Sequence, residues 1–326
     1  MILSVSRRTD IPNYYSEWFI NRIREGYLYV RNPMNPHQIS RINLSPQVVD
    51  CIVFWTKNPL PIMDRLDEFK EYPFYFQFTL TCYGKDIEPG LPEKNTRMTD
   101  IFRLLSSKTG MEKVVWRYDP ILFTNKYTPE YHLKAFQEMA EALRGYTEKV
   151  VISFVDFYTK SIQNMKRIHV VTLEQSRLLK FASQLSIIAA KNGMKITSCA
   201  ENMDLTSWGI ESGCCIDRAL IERITGCRID AKKDRNQRKE CGCMESIEVG
   251  TYDTCRNGCI YCYANSSDEK IRTKCRLYDP ESPLLCGVIG QEGKITERKV
   301  KSLRQYDSQQ LSLYFAEEGI TAGYDD

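Results

Sequence analysis

Six short runs rich in β-branched and aromatic residues recur between positions 2 and 199, with amphipathic stretches between them. The runs are Ile2–Ser6, Cys51–Trp55, Tyr75–Leu80, Lys113–Arg117, Lys149–Val155 and Lys195–Cys199. The intervening apolar spacing predicts helices over Tyr15–Glu25, Ile62–Phe69, Thr96–Ser107, Pro129–Arg144 and Leu173–Asn192. Thr128 before Pro129 suits an N-cap followed by proline in the first helical position. Gly110, Gly145 and Gly193 fall just after three of these helices, where a left-handed residue ends a helix. Strands that alternate with helices imply a parallel sheet with right-handed crossovers, in an open α/β fold or a barrel.

The residues that follow these strands are conspicuously polar. Arg7-Arg8-Thr9-Asp10 follows the first and Thr56-Lys57-Asn58-Pro59 the second. The third ends in Thr79-Leu80-Thr81 and the fourth in Arg117-Tyr118-Asp119-Pro120; Ser153 and Asp156 belong to the fifth, and Cys199-Ala200-Glu201-Asn202 to the sixth. Any one of them alone reads as a strand-end cap or a surface ion pair. Recurrence at all six ends predicts a binding mouth, because ligands of such folds bind at the carboxyl ends of strands. Arg7, Arg8, Lys57 and Arg117 are placed there to hold an anion.

Cysteine usage is the second constraint. Of thirteen cysteines in 326 residues, eleven fall between Cys199 and Cys286. The N-terminus places apolar residues before Arg7-Arg8, the reverse of a secretory signal, so a reducing cytoplasmic setting and metal ligation are expected rather than disulfides. Only three histidines occur, so any metal is expected to be held mostly by sulfur. No apolar run approaches a membrane span, and a net charge of +3 does not by itself argue for nucleic acid.

Within Cys255-Arg-Asn-Gly-Cys259-Ile-Tyr-Cys262 three sulfurs can turn toward one point. Three thiolates close three corners of an iron–sulfur cubane and leave one iron open. The competing reading is a structural zinc site with a fourth ligand elsewhere, although zinc sites usually show paired C-x2-C units. Upstream, Cys241-Gly-Cys243 with Cys199 and one of Cys214 or Cys215 could close a second site, an auxiliary iron–sulfur cluster or a structural zinc. The alternative is that these are buried small hydrophobes, as Cys51 and Cys82 are expected to be. The basic run Lys232–Lys239 reads either as a solvated linker or as a phosphate or carboxylate contact.

The run Cys255–Cys262, with Tyr261 as the aromatic of CxxxCxΦC and Tyr263-Ala264 behind it, resembles the radical S-adenosylmethionine (SAM) enzymes, in particular the spore photoproduct lyase-like branch. Thr9-Asp10-Ile-Pro12, Thr56-Lys57-Asn-Pro59, Thr79-Leu-Thr81, Glu88-Pro89 with Arg97, and Asp119-Pro120-Ile121 resemble that branch's strand-end segments in order. There the cysteine motif comes first, whereas here it comes last, after a candidate strand Ser246–Gly250. The resemblance therefore implies an α/β fold, a partial TIM-like barrel that is circularly permuted, with Ser246–Gly250 beside Ile2–Ser6 closing a seven-strand arrangement. Residues 1–265 would form the barrel and 266–326 a small Cys-rich C-terminal extension.

It further implies that Cys255, Cys259 and Cys262 bind a 4Fe–4S cluster whose open iron chelates SAM, releasing a 5′-deoxyadenosyl radical that abstracts hydrogen. Tyr261 would lie near the adenine. Arg7, Thr9, Asp10, Thr56, Lys57, Arg117 and Asp119 would contact SAM or substrate, and an electron donor such as flavodoxin or ferredoxin would be needed. The substrate, whether small molecule, peptide or nucleic acid, is not specified. Ser-Arg-Arg-Thr-Asp at the start and Cys241-Gly-Cys243 also resemble an uncharacterised bacterial domain family, whose pattern favours Cys215 over Cys214. The competing function is a zinc-stabilised, non-catalytic binding module for an anionic or nucleic-acid partner.

Overall fold

The computed structural model describes residues 1–92, 96–157 and 159–305. Eight strands make the main sheet. They are β1 (Ile2–Val5), β2 (Cys51–Thr56), β3 (Phe74–Thr79), β4 (Val114–Ile121), β5 (Lys149–Phe154), β6 (Lys195–Cys199), β7 (Glu211–Gly213) and β8 (Ile247–Glu248). Their spatial order is β8-β1-β2-β3-β4-β5-β6-β7, and every pairing is parallel. The last strand in sequence thus returns to lie beside the first, with Leu3 opposite Ile247 and Ser4 opposite Glu248.

Alternation along the strands separates two faces. Leu3, Val5, Ile52, Phe54, Phe76, Phe78, Trp116, Val150 and Ile152 share one core with the helices α1 (Ser16–Glu25), α2 (Thr96–Thr109), α3 (Pro129–Leu143) and α4 (Gln175–Lys191). The helices enter it through Trp18, Phe19, Phe102, Leu105, Phe136, Leu143, Phe181 and Leu185. The intervening residues Ile2, Cys51, Val53, Tyr75, Val115 and Val151 pack instead against Cys215, Ile216, Ile221, Cys241, Cys243 and Met244. One face carries the helices, and the loop-rich segment 214–244 covers the other. The protein is an α/β fold with a large parallel sheet flanked by helices.

Local signals hold where they rest on backbone chemistry. The Thr128 side chain accepts from the Tyr131 amide at the start of α3, and Gly110, Gly145 and Gly193 have φ of 100°, 79° and 73°. The sheet has eight strands where seven were expected, because Glu211–Gly213 adds a short strand beyond β6. Three further elements differ from expectation. The helix expected from Tyr15 begins at Ser16, because Tyr15 (φ −138°, ψ 25°) interrupts a short turn Ile11–Tyr14, its hydroxyl donating to the Thr254 carbonyl at 2.6 Å. Ile62–Phe69 is two short pieces, Leu60–Met63 and a 3-10 turn Leu66–Phe69. Strand β4 runs to Ile121 with a register shift after Tyr118, so Asp119 and Pro120 lie within the strand and not beyond it.

A hairpin of Tyr27–Arg31 and Gln38–Asn43, joined in parallel by Lys294–Glu297, was not foreseen. Its strands mix charges with apolar residues and mimic loops. The stretch after Asn265 begins with a helix Asp268–Cys275 capped by Ser267, and the Ser282 and Glu281 carbonyls accept from Trp18 and Arg22 of α1. The expected tail Gly319–Asp326 lies outside the described residues. Among the described residues no helix is long and apolar enough to cross a membrane.

Candidate functional site

The carboxyl ends of the strands converge on a cavity of about 410 Å³. Parallel pairing points all eight carboxyl ends to one edge, so the polar residues after each strand meet there. Arg7, Thr9, Asp10, Thr56, Lys57, Arg117, Asp119, Cys255, Tyr261 and Cys262 all line it, as do Cys199, Cys215, Cys241 and Cys243. Cys259 does not; it is buried within the motif loop.

The motif loop is delivered by β8 and pinned by two carboxylates, Glu248 half-buried and Asp10 buried. Glu248 accepts from the amides of Arg7 (3.0 Å) and Gly250 (2.9 Å), from Ser4 Oγ (3.0 Å) and from Ser6 Oγ. A Cβ on Gly250 would meet Ser6 Oγ at 1.8 Å, so glycine is needed where the link to the motif passes the end of β1. Asp10, 5% exposed, is a hub. Its Oδ1 accepts from Thr56 Oγ1 (2.7 Å) and the Asn13 amide (3.3 Å), its Oδ2 from the Lys57 amide (2.9 Å) and Asn257 Nδ2 (3.1 Å). All four partners are donors, so the arrangement suits a carboxylate. Burial pushes the Asp10 pKa up and these donors pull it back.

A third node lies beside it. Lys57 Nζ donates to Glu88 Oε1 (2.8 Å) and to Tyr261 OH (2.9 Å), Tyr261 OH donates to Glu88, and Thr81 Oγ1 donates to Glu88 Oε2 (3.1 Å). Burial lowers the Lys57 pKa and raises that of Tyr261. The Gly90 amide donates to the Asn257 carbonyl (2.9 Å), so the segment carrying Glu88 rests directly on the motif loop. Arg117 pairs with Asp119, which accepts from Ser153, and stands over Trp55 at 5.1 Å. Arg7 pairs with Glu248 (3.5 Å).

Two lining groups are less committed. Thr9 Oγ1 is buried and has no hydrogen-bond partner among the described residues. Arg8 lies over the Tyr252 ring at 4.7 Å, donates to the Gly250 carbonyl (3.3 Å) and has no ion pair among the described residues.

The motif sulfurs receive backbone donors, Cys255 from Asn257 and Asp10, and Cys262 from Ala264 (3.3 Å) and Asn265. Desolvation in the cavity wall nevertheless pushes the Cys255 thiol up to about 12. Cys215 faces the cavity, whereas Cys214 lines a separate recess with Lys149 and Asp217. Among the described residues no three His, Cys, Asp or Glu side chains already stand as a metal-binding group. From the basic run, Arg238 lines the cavity and pairs with Asp156, and Lys233 Nζ donates to the Lys239 carbonyl (2.6 Å).

Glu88, Asn257 and Glu248 were missed as site residues. Glu88 had been noted only as half of a Glu-Pro pair, and Asn257 lies between two ligand candidates, a signal that position alone could have supplied. A comparison with curated proteins finds no match. Residues 2–264 match a domain of unknown function, DUF1848, and with that match spanning most of its length the chain belongs to the DUF1848 family.

Proposed function

We propose that the protein is a radical SAM enzyme with a permuted, barrel-like arrangement of its sheet. The observation that carries this reading is that the three-cysteine loop follows a parallel edge strand next to β1 and opens on the cavity holding the other strand-end polar groups. Consecutive parallel neighbours with helices on one face are also what an open barrel requires.

The donor set fits a thiolate-held cluster. Three cysteines come from one eight-residue loop, and amide N–H groups aim at Cys255 and Cys262, as amides do around cluster sulfurs. Cys255, Cys259 and Cys262 would hold the 4Fe–4S cluster. When bound, it supplies the electron that cleaves the sulfonium of SAM and so starts hydrogen abstraction from a substrate.

The chain's own residues then divide by their availability. Asp10, Glu88 and Glu248 have their oxygens occupied by protein donors, so they position the loop and do not contact ligand. Among the described residues Arg8 is the cavity cation free of an ion pair and is suited to a carboxylate, that of SAM or of an anionic substrate. The unpartnered Thr9 hydroxyl supplies a hydrogen bond to the same ligand. Lys57 and Glu88 hold the Tyr261 hydroxyl, and the Tyr261 side chain forms part of the cavity wall.

Anaerobic reconstitution with iron and sulfide, followed by EPR of the reduced protein with and without SAM, tests the proposal. The expected result is a reduced-cluster signal that changes on adding SAM and is absent from Cys259→Ala. A signal indifferent to SAM, or zinc with no cluster, would overturn it and favour the zinc-stabilised binding module.

A further inference from the structure

We propose that Cys199, Cys215, Cys241 and Cys243 form a second metal site, distinct from the Cys255–Cys262 loop, that takes a single thiophilic divalent cation of the zinc class. The proposal does not depend on the radical SAM reading.

Three separate segments bring these sulfurs together on the sheet face that the helices leave free. Cys199 ends β6, and its Sγ is 3.1 Å from Cys215 Sγ. Cys243 Sγ accepts from the amides of Cys215 (3.3 Å) and Ile216 (3.4 Å), and the Cys241 sulfur interacts with the Cys243 side chain two residues on. The four therefore form one continuous sulfur cluster, drawn from positions up to 44 residues apart between Cys199 and Cys243.

Sulfur–sulfur contacts and burial push the Cys199, Cys215 and Cys243 thiols up, yet donors suited to anionic sulfur face two of them. A thiol is a weak acceptor, yet two amides point at Cys243 and the Arg117 guanidinium donates to Cys215 Sγ at 2.6 Å. Arg117 is shared with Asp119 and does not by itself balance several thiolates. A divalent cation would. The loop is also held from behind, because the Cys215 carbonyl accepts from Tyr75 OH (2.6 Å) and Gln77 Nε2 (2.8 Å) on the sheet. Such outer contacts orient metal ligands.

Sulfur spacing argues for one ion. A tetrahedron of Zn–S bonds of about 2.3 Å places its sulfurs about 3.8 Å apart; the 3.1 Å between Cys199 and Cys215 is shorter than this, and the pair would part slightly to share one ion. A cubane gives each cysteine its own iron and spreads the sulfurs further. Among the described residues the four are not yet a finished ligand set. The ion would draw them in, and binding would order segment 214–244, whose regular structure among the described residues is the helix Arg218–Thr225 and the two-residue strand Arg228–Ile229.

The experiment uses the full chain carrying Cys255→Ala, Cys259→Ala and Cys262→Ala, so the motif loop cannot contribute. It is loaded with zinc chloride, desalted and assayed for metal per chain, and in parallel titrated with cobalt(II). About one zinc per chain should remain, cobalt should give a thiolate charge-transfer band with tetrahedral d–d absorption, and chelation should lower the thermal midpoint until zinc is restored. Adding Cys215→Ser and Cys243→Ser should abolish retention; the chelation cycle needs no such variant and covers the case in which these changes prevent folding. No retained zinc, or equal retention with and without Cys215 and Cys243, overturns the proposal. So does loss of two free thiols without metal, which would mark a Cys199–Cys215 disulfide. Iron with inorganic sulfide displacing the zinc on reconstitution would overturn the single-ion assignment.

Discussion

Replacing Asp10 by asparagine keeps its shape but removes half of what the side chain does. The two carboxylate oxygens each accept from two donors, Thr56 Oγ1 and the Asn13 amide on one, the Lys57 amide and Asn257 Nδ2 on the other. An asparagine offers one oxygen, so in either orientation two donors face an NH2 group. Turning Asn257 to compensate would break its acceptance from Tyr14 OH at 2.8 Å. Hydrogen bonds to a charged group are worth about 1.5–3 kcal/mol, and a buried donor left unmet costs about 1–3 kcal/mol. Relief from burying a charge offsets part of this. The expected net loss is about 2–3 kcal/mol, read as a lower urea midpoint at unchanged slope by tryptophan fluorescence at pH 7. Because the same carboxylate joins the ends of β1 and β2 to the motif loop, iron uptake on reconstitution should fall with it. A change within about 0.5 kcal/mol, the range of ordinary surface substitutions, with full iron uptake, would refute the reasoning.

Two further outcomes follow from other contacts. A Cβ at Gly90 would lie 2.4 Å from the Arg256 carbonyl oxygen and 2.8 Å from that of Asn257, both backbone atoms of the motif loop. Gly90→Ala should therefore cost about 1–3 kcal/mol by overpacking and depress iron uptake; unchanged values of both would show that the loop does not rest there. His132 is fully buried, held by Tyr118 OH at Nδ1 (2.8 Å) and the Leu122 carbonyl at Nε2 (2.9 Å), and burial lowers its pKa to about 4. The unfolded chain, with an ordinary histidine near pH 6.5, binds the proton first, so this contribution is complete above that pH and lost as pH falls toward 4. Between pH 7 and pH 5 it should remove about 2 kcal/mol, a slope that His132→Gln should lack; an identical slope in that variant would contradict the assignment.

Much of the framework was legible because its signals are local. The runs at Cys51, Tyr75, Lys149 and Lys195 are β-branched or aromatic and became β2, β3, β5 and β6 nearly as read. The strand-end residues Thr9, Lys57, Arg117 and Asp119 were legible for a related reason, since parallel strands put every carboxyl end on one edge. Glu88 was not. An isolated glutamate in a loop reads as solvated, and only the arrival of Lys57, Thr81 and Tyr261 makes its burial tolerable. The Tyr27–Arg31 hairpin failed for the opposite reason, its polar residues masking a period of two.

The sequence alone determined the alternation of strand and helix, the parallel sheet, its polar carboxyl edge and the concentration of sulfur in residues 199–286. Tertiary structure decided which of these meet. The placing of a strand near residue 247 beside β1 could be expected from a resemblance, not from any period in the chain. That pairing is what carries Cys255 and Asn257 to Asp10 across some 245 residues. Likewise only a resemblance separates Cys214 from Cys215 in sequence, and it is the fold that turns Cys215 toward the cavity and Cys214 toward a separate recess. Contacts between residues distant in sequence have no local signature, because the energy that forms them comes from burial of surfaces that only the folded chain brings together.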